Sequence, residues 1–120
     1  MSRKLLAPLA VMALIFFFSA QAAGEELAWW EVVIRKLGHF GIYATLATAW
    51  WWALRGVVER PLLWACAISV LYAVSDEYHQ TFVEGRHGTP VDVVIDAMGI
   101  ATAAGAVLIW LERARSSPAQ

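Results

Sequence analysis

The chain has little charge and almost no cysteine: of its 120 residues, 16% are Asp, Glu, Lys or Arg, and Cys66 is the single thiol. Soluble domains average ~25% charged residues, so the composition argues against a soluble protein. One cysteine excludes an intrachain disulfide and any multi-cysteine metal site, and its apolar neighbours read it as a small buried hydrophobe. Nine basic residues against ten acidic ones, a formal charge of -1, leave no basic footprint, so nucleic acid is not an expected partner. Internal repeats and low-complexity blocks are absent as well. What is abundant is apolar: 60% of the residues are hydrophobic. Since a membrane core takes about 20 apolar helical residues to cross, a chain of this length holds at most about four spans, with no room for a separate soluble domain.

Four runs fit that number. The first, Leu5 to Ala23, follows Arg3 and Lys4 and ends in Ser19-Ala20-Gln21-Ala22-Ala23. Small residues before Gly24 make a cleaved signal peptide the rival of a retained helix, and the nearly unbroken length of the run favours retention. The second run follows Arg35 and Lys36 and stops at Arg55-Gly56; the third opens at Pro61, and the fourth at Pro90 before ending near Glu112, Arg113 and Arg115. The expectation is an all-α polytopic membrane protein: one domain over residues 1–120, a four-transmembrane-helix bundle with spans at about 5–23, 37–54, 61–82 and 91–111. The segment Glu25 to Arg35, with Trp29, Trp30, Val33 and Ile34 among charges, is expected to lie along the membrane surface.

Orientation follows from the basic residues. With both termini cytoplasmic, Arg3, Lys4, Arg55, Arg60, Arg113 and Arg115 lie inside and Arg35, Lys36 and Arg86 outside, six against three. Trp50, Trp51, Trp52, Trp64 and Trp110 then mark the inner boundary, and Trp29 and Trp30 the outer one. Eight of the ten acidic residues, all but Glu59 and Glu112, fall toward the outer side, together with His39, His79 and His87. The inner loops hold no candidate chemistry.

At that outer end the polar residues share helix faces. Lys36, His39 and Tyr43 are spaced i, i+3, i+7 on one stripe of the second helix. On the third, Asp76 and Glu77 sit at membrane depth, each within a turn of Gln80; on the fourth, Asp92 and Asp96 are spaced i, i+4. A charge at membrane depth costs at least ~2.5 kcal/mol, so these groups must pair, face a polar cavity or shift protonation. The expected pocket is lined by Lys36, His39, Tyr43, Asp76, Glu77, Gln80, Arg86, Asp92 and Asp96, with Arg86 folding back from a glycine-hinged loop to offer its planar fork. Gly99 and Gly105, with Ala101 and Ala103, let the fourth helix approach its neighbours closely.

Taken together, these residues resemble the VanZ-like family of small bacterial membrane proteins. Ile15-Phe16-Phe17-Phe18-Ser19-Ala20-Gln21 is similar to the aliphatic-aromatic-Ser-x-Gln end of that family's first helix. Lys36-Leu37-Gly38-His39-Phe40 with Tyr43 resembles its Lys-x-x-His-Phe-x-x-x-Tyr motif, and Glu77-x-x-Gln80-x-Phe82, Gly85-Arg86, Asp92, Gly99 and Gly105 resemble its third. Asp96 departs from the asparagine expected in most relatives. The resemblance implies the bacterial cytoplasmic membrane and a link to resistance against teicoplanin-type glycopeptides.

Three functions remain open on the sequence: a pocket binding a membrane lipid or lipid-linked envelope intermediate, a purely structural polar network between helices, and a membrane-embedded hydrolase or transferase. In the last, His39 or Glu77 would be general base, with Lys36 and Arg86 stabilising charge. No nucleophile motif such as G-x-S-x-G is present, and His39, Glu77 and Asp92 lack a metal-ligand spacing, so no metal or cofactor is expected.

Overall fold

The computed structural model describes residues 3–20, 28–83 and 90–116. Among them the chain is all-α. A 3-10 turn, Arg3–Leu5, leads into α1 (Leu6–Ser19), followed by α2 (Trp29–Leu54), α3 (Pro61–Gln80) and α4 (Pro90–Ser116). Pro8 lies in the first turn of α1, and Pro61 opens α3, positions where a missing N–H breaks no helical bond. The turn from α2 to α3 runs through Gly56 at φ +77°, a left-handed conformation that glycine adopts without a Cβ penalty.

Against expectation, α2 starts at Trp29 and runs 26 residues without a break. Glu31 and Arg35 therefore extend the second helix instead of forming a separate surface segment, because no proline or glycine stands between Trp29 and Leu37 to end it; the segment's first residues, 25–27, lie outside the described ones. Glu31 in the first turn also complements the helix dipole.

α2 is the centre of the bundle, packing most extensively on α4, then α3, then α1. Tyr43, Leu46 and Ala47 of α2 meet Ala73 of α3 and Ile100 and Ala103 of α4 in the main core, and Ile15 of α1 joins them. A smaller cluster, Trp51, Ala65 and Val107, closes the end where α2 finishes and α3 begins. The closest approach is at Gly99, where a Cβ would collide with the carbonyl oxygen of Phe40 across the α2–α4 interface. Gly105, expected to serve the same purpose, faces open space: a Cβ there meets nothing within 4 Å.

Beside that apolar core, several polar side chains lie inside and many large apolar ones lie outside. Asp76, Glu77, Gln80, Asp96, Ser19 and Ser69 are buried, while Phe16, Phe17, Phe18, Leu71, Val94, Leu108 and Ile109 are exposed. Exposed Thr45, Thr48 and Thr102 turn their hydroxyls back to the carbonyls of Gly41, Ala44 and Met98, which satisfies these polar groups within their own helices. By length and composition, α4 alone among the described helices is apolar enough to cross a membrane by itself. α1 has 14 residues as described, and α2 and α3 are diluted by tryptophans, His39 and the Asp76-Glu77 pair.

Candidate functional site

Helical spacing brings the stripe on α2 against carboxylates of both neighbours. Lys36 Nζ donates to Asp92 Oδ1 at 2.8 Å. One turn further, His39 Nδ1 lies 3.2 Å from Asp96 Oδ1. The contact engages Nδ1 and leaves the other ring nitrogen for another partner. Another turn on, Tyr43 Oη donates to Asp76 Oδ2 at 3.1 Å. The three rungs therefore join α2 to α4 twice and to α3 once. Their burial rises inward: the Lys36 side chain is 41% exposed, that of His39 30%, and Tyr43 is fully buried.

Asp96, the departure noted in the sequence, is the most enclosed of the acids at 0% exposure, and its Oδ2 has no hydrogen-bond partner among the described residues. Asp96, Asp76 and Asp92 all lie within electrostatic range of His39. The His39 and Tyr43 rings stack with centroids 6.4 Å apart, and Tyr43 tilts against Tyr72 at 6.5 Å. Among the described residues no group of three or more His, Cys, Asp or Glu is placed to hold a metal ion.

Gln80 belongs to a different contact. Its amide donates to the Ser19 hydroxyl of α1 at 3.3 Å, which ties the ends of α1 and α3 together. Two more links hold α1 there: Tyr72 Oη donates to the Met12 carbonyl at 2.6 Å, and the Phe16 ring stacks on His79 at 5.0 Å. Glu77 is buried beside Asp76 on α3. Arg86, placed in the pocket by the sequence, lies outside the described residues, as does His87.

Beside the ladder opens a cavity of about 440 Å³, within the ~300–1,000 Å³ range of small-molecule sites. α1 contributes Ile15, Phe18 and Ser19 to it, and α3 contributes Gln80. From α2 come Arg35, Gly38, His39, Ile42 and Tyr43. His39, Tyr43 and Gln80 are thus shared between the expected pocket and the cavity, whereas Lys36, Asp76, Glu77, Asp92 and Asp96 do not line it. Arg35, Gly38 and Ile42 were missed by the sequence reading. They were legible in principle, because 35, 38, 39 and 42 repeat at i, i+3, i+4, i+7 just as the chosen stripe does.

The opposite end of the bundle is built from tryptophan and basic residues. Lys4 Nζ sits 5.4 Å from the Trp52 ring centroid, and the Arg55 guanidinium lies 4.8 Å from that of Trp51 and 5.8 Å from that of Trp110. Cation–π contacts of this kind gather the start of α1 with the ends of α2 and α4. A family profile described as VanZ/LLP1 matches residues 4–111. No curated protein and no solved structure matches the chain.

Proposed function

The chain belongs to the VanZ/LLP1 family, and from that premise we propose that it is a multi-pass protein of the bacterial cytoplasmic membrane that binds an anionic envelope molecule at its outer end. The family and the long apolar α4 are those of a membrane protein. Four spans with both termini cytoplasmic are supported by the buried acids and exposed apolar residues, by the six-to-three basic asymmetry, and by the tryptophans and cations gathered at one end. The observation that carries the binding reading is the ladder of paired carboxylates ending beside an open cavity, at the end away from those tryptophans. The bound molecule is a membrane lipid or a lipid-linked cell-wall intermediate, which accords with the family's link to glycopeptide resistance.

One observation favours each rival. Every rung joins two helices, as a purely structural network requires. The His39–Asp96 contact, in turn, is how a carboxylate orients a histidine general base, as a membrane-embedded hydrolase or transferase would use it.

His39→Gln and Gln80→Met, both at the cavity wall, separate binding from scaffold. Both are expected to abolish an envelope-stress or glycopeptide-tolerance phenotype while the protein accumulates normally in membranes, since each changes a polar group at the cavity wall and nearly preserves its length. Full phenotype at normal abundance in both would defeat the binding reading. Orientation has its own test, in a Cys66→Ala background: an impermeant thiol reagent is expected to reach a cysteine placed at Gly85 and not one placed at Ser117. The reverse pattern rejects cytoplasmic termini.

A further inference from the structure

The charges of the ladder and those of the cavity are sorted. Asp76, Asp92 and Asp96 are engaged with α2 from the α3 and α4 sides, and among the described residues the cavity lining contains no carboxylate. Among the described lining residues its one permanent charge is Arg35. Unlike its neighbour Lys36, Arg35 forms no ion pair among the described residues. The neutral donors Ser19 and Gln80 stand on the far wall, His39 and Tyr43 line the α2 side, and Ile15, Phe18 and Ile42 supply the apolar part.

Gly38 is the informative wall residue. A Cβ built on it meets nothing within 4 Å, so helix packing does not demand glycine here as it does at Gly99. Glycine inside a helix is unfavourable by ~1 kcal/mol relative to alanine, and its evident consequence at this position is open space within the cavity.

We propose that this cavity holds the phosphate and adjoining chain of an anionic amphiphile. The inference rests on the envelope-binding reading and specifies its substrate class. Arg35 takes the phosphate with its planar fork, and its exposure keeps that group at the water boundary. Ser19 and Gln80 hydrogen-bond the phosphate oxygens or the group beyond them. Ile15 and Phe18 cover the first carbons of the chain, whose remainder leaves along the exposed flank at Phe16 and Phe17. Gly38 sets the width of the entry. A soluble anion would leave most of this lining without a partner, and a cationic ligand would meet Arg35 with no carboxylate among the described lining residues to offset it.

The test is a native mass-spectrometric titration of the full chain in detergent with three probes: farnesyl monophosphate, farnesol and inorganic phosphate. Farnesyl monophosphate is expected to bind one to one, and farnesol and phosphate each about tenfold or more weaker, the size of one lost charge-assisted or apolar contact. Arg35→Gln is expected to weaken farnesyl monophosphate by about tenfold. Gly38→Leu should abolish its binding, whereas Gly41→Leu, equally open at its Cβ but not lining the cavity, should leave it within about twofold.

Equal binding of farnesol would overturn the role of charge, and equal binding of inorganic phosphate would overturn the amphiphile. Unchanged binding in Gly38→Leu would remove the ligand from this cavity, as would absence of binding by any probe. Either result leaves the His39→Gln and Gln80→Met phenotypes to decide the envelope-binding reading on their own. Arg35→Gln changes an exposed side chain and keeps the proposal testable if Gly38→Leu fails to fold.

Discussion

His39→Leu is expected to destabilise the protein by about 1–3 kcal/mol, the cost of leaving a buried polar group without its hydrogen-bond partner. Asp96 is fully enclosed, its Oδ2 already has no hydrogen-bond partner among the described residues, and His39 supplies the contact at 3.2 Å to its Oδ1. Leucine fills much of the ring's volume and removes that contact. If the loss arises from the stranded acid, adding Asp96→Leu should recover most of it, because two apolar groups of suitable size replace a pair that is dear to bury. Thermal unfolding in detergent, read for the wild type, both single variants and the double, gives the coupling energy directly. A His39→Leu protein as stable as the wild type would mean that this contact does not compensate the burial of Asp96.

The second large effect is steric. Gly99→Ala places a methyl group against the Phe40 carbonyl, and backbone cannot step aside as a flexible side chain can. An expected loss of ~1–3 kcal/mol follows from overpacking, centred on the α2–α4 interface that carries two of the three rungs. Gly105→Ala on the same helix is the control. Its Cβ meets nothing within 4 Å, so the substitution should be neutral or gain up to ~1 kcal/mol of helix propensity. Unfolding temperatures that rank the two variants the other way would contradict the observed helix approach.

Within a single helix, the sequence made much of this site readable. The spacing of Lys36, His39 and Tyr43 defines one stripe because 3.6 residues per turn leaves little choice, and Asp92 and Asp96 share a face for the same reason. Which neighbour a stripe faces is another matter. Spacing alone does not distinguish Asp76 from Glu77 as the partner of Tyr43, since both lie within a turn of Gln80. It also does not show that Gln80 reaches back to α1. The cavity was missed because the chosen stripe was defined by polarity. Arg35, Gly38 and Ile42 continue past His39 on the adjacent face, but glycine and isoleucine look like ordinary wall until α1 is in place. The start of α2 was misplaced because hydropathy changes at Leu37 while the backbone, with no helix breaker, does not. Gly99 and Gly105 looked alike in sequence, and only the position of Phe40 separates them.

The separations along the chain set an order of events during synthesis. Tyr43 waits 33 residues for Asp76, while Lys36 and His39 wait 56 and 57 for Asp92 and Asp96. At roughly 5–20 residues per second, the lysine emerges about 3–11 s ahead of its acid. The innermost rung therefore closes first and the two outer ones only when α4 arrives. A ribosome halted before Asp92 leaves a nascent chain whose second helix still carries an unmatched cation and imidazole, a difference by which cellular surveillance could tell an unfinished copy from a finished one.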